Sequence, residues 1–421
     1  MTERPLEAAL AALAADTQLQ RDFDDLCNCG GRRAGTASEE KALRLALARL
    51  AAIDSTASMR PVAYAGWRCS EATLTLQDGT PLVCNPLLGS LSTPPAGIDA
   101  EVIDLGRGAP EDFARNASDI AGRFALVRHE YPFSAHHVHR RRKYGWAMEH
   151  GAAGFIIANP APGGGPVSGS SGRGGQAGIP AVATDFDSAA RLSRRARAHL
   201  KITGEDYPAE TGVVILDLPG RTNGCIALSA HVDGHDLGES AMDNATGVAV
   251  VLAVARAFAP HIASCARGVK VCFFSAEEWA LAGSREFLDR MAASERDAIT
   301  LNINLDTVGG DAHLTALTSE FPRLTAFACD TAAASGITLG SYAPMMSNSD
   351  HFNFARHGIP ALRLVAGFER PQCNVRHILT RGDTRDKVMP TELASAARLT
   401  AVLLVRALRA SDDEMAALRN S

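Results

Sequence analysis

From Gly212 onward the chain alternates short, continuously apolar runs with helical ones: VVILDL, CIALSAHVD, NATGVAVVLAVARAFA, VKVCFFSAEE, EFLDRMAAS and ITLNINLD. A strand with no polar face cannot border water on either side, so it must be covered on both. An α/β arrangement, a mixed and largely parallel sheet flanked by helices, supplies that cover for several such strands in succession. Nearly every polar cluster then falls at the carboxyl end of an expected strand. That is the edge at which open α/β sheets bind ligands.

A chain of 421 residues is long for a single core, which favours more than one domain or a large domain with an insertion. Over residues 1–60 the apolar positions recur at helical spacing, interrupted by CNCGGRRAGT (Cys27 to Thr36), after which Thr36 or Ser38 caps the helix of SEEKALRLALARL. Residues 61–205 are β-rich, with ATLTL, PLVCNPLL, AEVIDL, RFALVRH, GFIIANP and IPAVAT separated by turn-forming residues. Residues 206–421 carry the α/β pattern. Within the middle region PGGGPVSGSSGRGG (Pro162 to Gly175) leads into no Lys-Ser/Thr helix, so it is expected to be a flexible surface loop rather than a phosphate cradle. In HHVHRRRKYGWAMEHGAAG the apolar positions keep helical spacing, which assigns the basic residues to a solvated face.

A net charge of −5 gives no basic field for a nucleic-acid backbone, and none is expected as a partner. No apolar run approaches the roughly 20 residues of a membrane span. The start MTERPLEAALAALAADTQLQRDF lacks the basic lead and apolar stretch of a signal peptide, so a cytoplasmic location is expected. Nine cysteines, an odd number without paired spacing, read as reduced thiols, and the CxC of Cys27 and Cys29 as part of a helix end.

The strand ends taken in order carry His231 and Asp233, then Asp243 at the mouth of the next helix, Glu277 and Glu278, Asp306, and finally His377. That many carboxylates on one edge repel one another unless cations sit among them. Imidazole and carboxylate without thiolate suits zinc, with cobalt or manganese as alternatives. A bridging carboxylate would hold two such ions roughly 3.5–4 Å apart and leave a water as nucleophile, with its pKa brought down to about 7. One carboxylate must stay off the metals to take the water's proton, and the Glu277-Glu278 pair offers one residue for each task.

The order H-x-D, D-N-A-T-G, E-E, N-x-D, S-D-H and a late His before D-T resembles the co-catalytic di-zinc aminopeptidases, relatives of glutamate carboxypeptidase. The resemblance covers residues 205 to 410, and CGGRRAGTASEEKAL is similar to the family's N-terminal helical segment. DIAGRFALVR, GAAGFIIANP and GIPAVAT resemble an inserted protease-associated domain. The resemblance implies the phosphorylase/hydrolase-like fold of zinc exopeptidases. It makes Asp243 the bridging ligand, His231 and Asp306 ligands of one zinc, Glu278 and His377 ligands of the other, and Glu277 the general base. Asp233 would orient His231, and the helix expected to start at Asn244 would point its N-terminal dipole at the site.

Asp350 and His351 of S-D-H are assigned to the metal surroundings or the substrate pocket, with a helix cap as the alternative for Asp350. His235, Asp236 and Glu239 have no counterpart in the motif and read as loop residues. Where members place an oxyanion-stabilising tyrosine this chain has Met346 and Arg376, which leaves Tyr342 or Arg376 for that task. The spacing HILTRGD after the last ligand is also longer than usual.

The expected activity is that of a zinc exopeptidase acting on peptides, most simply an aminopeptidase, with two zinc ions per chain. A carboxypeptidase or dipeptidase of the same fold and a non-catalytic receptor or scaffold are the alternatives; homo-oligomerisation is left open. The dipeptidase type carries a lid domain for which the interval from Asp306 to His377 is too short. A serine hydrolase is disfavoured because no G-x-S-x-G elbow is present.

Overall fold

The computed structural model describes residues 3–173, 175–193 and 196–419. The chain forms two compact units. One comprises the chain up to Tyr64, Glu210–Ile378 and the chain from Asp383 onward; the other comprises Ala65–Ala209 with Leu379–Gly382. The chain passes from the first to the second within the strand Ser58–Leu76 and returns within Arg197–Leu218.

In the first unit the sheet runs Gly340–Tyr342, Leu314–Leu317, Ala361–Ala366, Ile299–Leu305, Cys225–His231, Gly268–Phe274 and Arg197–Leu218. The centre is parallel: Cys225–His231 pairs with Gly268–Phe274 on one side and Ile299–Leu305 on the other, and Ile299–Leu305 with Ala361–Ala366. Antiparallel strands lie outside it, Arg197–Leu218 against Gly268–Phe274 and Leu314–Leu317 against Ala361–Ala366. Every residue of Gly268–Phe274 and Ala361–Ala366 is buried, as strands covered on both faces require. The register matters for function. Phe274 pairs with His231 and Asn304 with Ser229, so the residues that follow these strands emerge at one edge.

Ala241–Ile262 corrects an expectation, because by length and composition alone it could cross a membrane. Instead 78% of its most apolar window is buried. A helix apolar around its whole circumference is a core helix when its neighbours are protein. Thr246–Ile262 is packed among Glu3–Ala14, Leu19–Cys27 and Pro390–Arg409. At the N-terminal side Thr36 caps Ala37–Ala51 by accepting from the Glu39 amide. Cys27 ends the helix Leu19–Cys27; no disulfide is formed among the described residues, and burial pushes the Cys27 thiol up to about 12.

In the second unit Ile98–Asp104, Phe124–Arg128, Gly154–Ala158 and Ala181–Thr184 are parallel neighbours, with Asn85–Pro86 antiparallel at one side. Alternate residues feed two cores. Phe124, Leu126, Ile156 and Val182 go to one face, Ala125, Val127, Phe155, Ile157 and Ala183 to the other.

Two expectations for this unit fail. The helix Arg140–Glu149 exposes Arg142 but not all of its basic residues: Arg140 donates to the carbonyls of Ser168 and Ser170, and Lys143, wholly buried, donates to the carbonyls of Arg107 and Arg128 and to Glu130 at 2.5 Å. The glycine-rich stretch is a surface loop only in part, exposed at Pro162, Gly163, Gly172 and Gly175. Val167, Ser168, Ser170, Ser171 and Arg173 are buried, and Arg173 reaches Asp206 at 2.5 Å, while Gly174 lies outside the described residues. Buried cations need partners that are distant in sequence, and helical periodicity carries no record of them.

Candidate metal centre

His231 is the last residue of its strand, and its ring is buried. Nε2 lies 3.1 Å from Asp243 Oδ1 and 3.5 Å from Asp306 Oδ1. On the other side Nδ1 faces the Asp233 carbonyl at 3.2 Å. A carbonyl there keeps the proton on Nδ1 and leaves the Nε2 lone pair for a metal. Burial opposes the charged ring, but the Glu277 and Asp306 carboxylates outweigh it and raise the pKa of His231 well above its ordinary value.

Asp306 directly follows Ile299–Leu305. Its Oδ2 meets Arg363 Nη2 at 3.1 Å, leaving Oδ1 toward His231. Burial works against its charge, yet Arg363 and His231 hold its carboxyl below the usual range. Left-handed residues flank the acidic groups, Ser240 before Asp243, Ala276 before Glu277 and Thr307 after Asp306. Non-glycine residues in that region cost about 1 kcal/mol or more each, a strain that concentrates at functional sites.

Asp233 takes on more than the expected task. Its two oxygens accept the amides of Glu277 (3.1 Å) and Glu278 (3.2 Å), so the carboxylate that lies beside His231 also fixes the turn bearing both glutamates. Glu39, from the N-terminal helix, bonds the Ser275 hydroxyl just before that turn. Burial, reinforced by Glu278 and Asp306, raises the pKa of Glu277 well above its ordinary value despite the opposing effect of His231. Ligand atoms of His231, Glu277 and Asp306 all lie within 4.8 Å of one another, a grouping able to hold a cation.

Asp243 lies in the turn Ala241–Ala245, off the helix, with φ −117° and ψ 85°. The regular helix begins at Thr246 rather than Asn244. Its Gly247 amide is taken by Asn244 Oδ1 at 2.9 Å, so that amide is not directed at the carboxylates as the dipole argument expected. Asn244 also donates to the Leu305 carbonyl and accepts from the Thr307 amide, joining the helix start to the Asp306 strand. Gly247 is needed here, since a Cβ would stand 2.3 Å from the Leu305 oxygen.

The remaining candidates are spread more widely. His377 lies half-buried in the short turn Asn374–His377, and neither it nor Glu278 belongs to the 4.8 Å group. Asp350 and His351, at the start of His351–Arg356, have no exposed surface, and the Asp350 side chain makes no cap hydrogen bond. Burial lifts Asp350 to about 7 and pushes His351 down to about 3. Ser349, beside them, accepts from Asn304 at 2.8 Å. Tyr342 packs its ring on Phe368 at 5.0 Å, and the exposed Arg376 donates to the Gln372 carbonyl.

The sequence pattern did not identify Arg32, Glu39 or Arg363, all of which act across long chain separations. For Asp383 one signal existed, the stretched HILTRGD. Its buried carboxylate accepts the amides of Met242 (2.7 Å) and Asp243 (3.3 Å), and burial lifts it to about 7.

The donors fit a zinc ion. An imidazole nitrogen aimed between two carboxylate oxygens, with further carboxylates close by and no thiolate among the grouped ligands, matches zinc's nitrogen and oxygen preference.

Comparison with known proteins agrees with this fold. Residues 213–404 match peptidase family M28, and residues 85–192 match the PA domain. Aminopeptidase YwaD of Bacillus subtilis is 25% identical over 282 residues, a stretch covering 66% of this chain and 59% of that protein. The structure of BSAP, a zinc aminopeptidase from Bacillus subtilis, superposes with a TM-score of 0.73 at 22% identity, covering 96% of each chain. A peptidase M28 precursor from Shewanella amazonensis superposes with a TM-score of 0.77 at 22% identity, covering 97% of each. At that identity the superpositions speak for the fold. Residues 213–404, which carry the central strands of the sheet and the acidic residues at their ends, belong to peptidase family M28, and residues 85–192, between the N-terminal helices and that sheet, form a PA domain.

Proposed function

We propose that this protein is a zinc-dependent exopeptidase that removes residues from the N-terminus of peptides. The observation that carries the reading is the His231 Nε2 directed between Asp243 and Asp306, with a Glu277 oxygen inside the same 4.8 Å group. The aminopeptidase direction follows the names of its relatives.

In this reading the site would take two zinc ions, with His231 and Asp306 available to one, Glu278 and His377 to the other, and Asp243 to either. Bound zinc would polarise the peptide carbonyl and acidify a water. The chain's own residues do the rest. Glu277 accepts the water's proton and returns it to the leaving amine, a task that suits a carboxylate whose pKa burial has raised. Asp233 holds Glu277 and Glu278 at fixed height through their amides, and Arg363 keeps one oxygen of Asp306 occupied so that the other faces the site. Tyr342 and Arg376 are the candidates for the oxyanion.

Protein purified without chelator is expected to contain about two zinc equivalents and to lose them together with activity on chelation. Elemental analysis alongside a panel of aminoacyl and N-blocked peptides tests this. Metal-free protein with full activity would end the zinc reading, and cleavage of blocked peptides at their far end would replace aminopeptidase by carboxypeptidase.

The PA domain supplies no ligand in this assignment. Alanine at His136, His137 and His139 together should therefore leave the zinc content unchanged. The triple variant should nonetheless melt earlier, because His139 caps Arg140–Glu149 and losing a cap costs about 1 kcal/mol. Zinc loss in that variant would overturn the assignment.

A further inference from the structure

His231 and Asp243 approach within 3.1 Å, yet they sit at opposite ends of a loop of irregular backbone. Something must fix that loop, because a carboxylate displaced by an ångström no longer meets the same cation as the imidazole. Arg32, fully buried, reaches both ends of it. Its Nε donates to the Val232 carbonyl at 2.8 Å, directly after His231; Nη1 and Nη2 donate to the carbonyls of Glu239 at 2.7 Å and Ser240 at 2.6 Å, just before the Asp243 turn. Its own carbonyl accepts the Gly234 amide at 3.1 Å. The approach is close enough that a Cβ on neighbouring Gly31 would lie 1.9 Å from the His235 oxygen.

The opposite side of the loop is held by Asp383, which accepts the amides of Met242 and Asp243 and whose carbonyl accepts the Glu239 amide at 2.9 Å. Arg385 adds a fork onto both Glu239 oxygens and a bond to Asn28. A planar guanidinium suits the first task because its donors are fixed in one plane and diverge toward separate acceptors. A buried guanidinium bonded to carbonyls, with a buried carboxyl group bonded to amides on the other side, secures the loop through its backbone.

We propose that Arg32 is a positioning residue for the metal centre: with Asp383 as its counterpart, it sets the separation of His231 and Asp243, so that the N-terminal segment is part of the zinc-binding apparatus. This rests on the reading that those two side chains hold zinc. The same geometry gives Glu239 a task, that of receiving the Arg385 fork, which its place outside the motif concealed.

The test is zinc affinity, read by competition with a chromophoric chelator on apo protein, with the apo melting curve and circular dichroism recorded for each variant. Arg32→Met is expected to bind zinc about 10–100-fold more weakly, the usual cost of removing a group that orients a ligand. Arg32→Lys, with one nitrogen for carbonyls at both ends of the loop, is expected to fall between Met and wild type. Wild-type affinity in a folded Arg32→Met protein would overturn the inference. Should Arg32→Met not fold, Asp383→Asn decides: weakened zinc binding in a folded protein supports the clasp, and unchanged binding overturns it. A wild-type chain that takes up no zinc would instead overturn the reading of the site itself, so the two failures are distinguishable.

Discussion

Glu277→Gln protein is expected to keep its zinc while its turnover falls by at least ~10²-fold, the loss typical of a removed general base. The amide matches the carboxylate in size and keeps a hydrogen-bonding oxygen, but it cannot take a proton from water. The turn should survive, because Asp233 holds it through backbone amides that the substitution leaves alone. Glu278→Gln should behave differently and weaken one metal first. The contrast has force because an oxygen of Glu277 lies within 4.8 Å of ligand atoms of His231 and Asp306, a distance compatible with a ligand as well as with a base. Elemental analysis and single-turnover kinetics on both variants separate the two. If the Glu277 variant loses zinc and the Glu278 variant retains it, the roles are exchanged; if both stay active on every peptide tried, the chain is not a hydrolase of this kind.

Asp243→Ala is expected to remove both metals at once, since the bridging carboxylate serves each. Its backbone should keep its course, because the Asp383 carboxylate binds the amide of residue 243 and not its side chain. The variant should therefore fold but no longer gain melting temperature on addition of zinc, the stabilisation by a ligand being set by its affinity for the native state. A full metal complement in that variant would show that the bridge is wrongly assigned. Loss of a single equivalent would place Asp243 on one metal only.

How much of this was legible beforehand differs from residue to residue. The apolar runs ending at His231, Phe274 and Leu305 read directly as buried strands, and the residues after them read as an acidic edge. Asp233 was read as the partner of His231, whereas its oxygens also carry the turn of Glu277 and Glu278. Asn244 read as the start of a helix, yet it stands before the helix and ties it to the Asp306 strand. In the PA domain Lys143 lies at a position that helical spacing gives to solvent, and it is buried against Glu130.

By itself the sequence determined the alternation of strand and helix, the order of the acidic residues and the strand edge on which they meet. These depend on local apolar periodicity and on the fact that a parallel strand delivers its carboxyl end to one side of the sheet. Only the tertiary structure decided which groups hold the ligands in place. Arg32 meets Val232 across 200 residues of chain, Glu39 meets Ser275 across 236 and Asp383 meets Met242 across 141. Hydrogen bonds of that span leave no periodic trace, because a buried polar group is defined by the partner that folding brings to it.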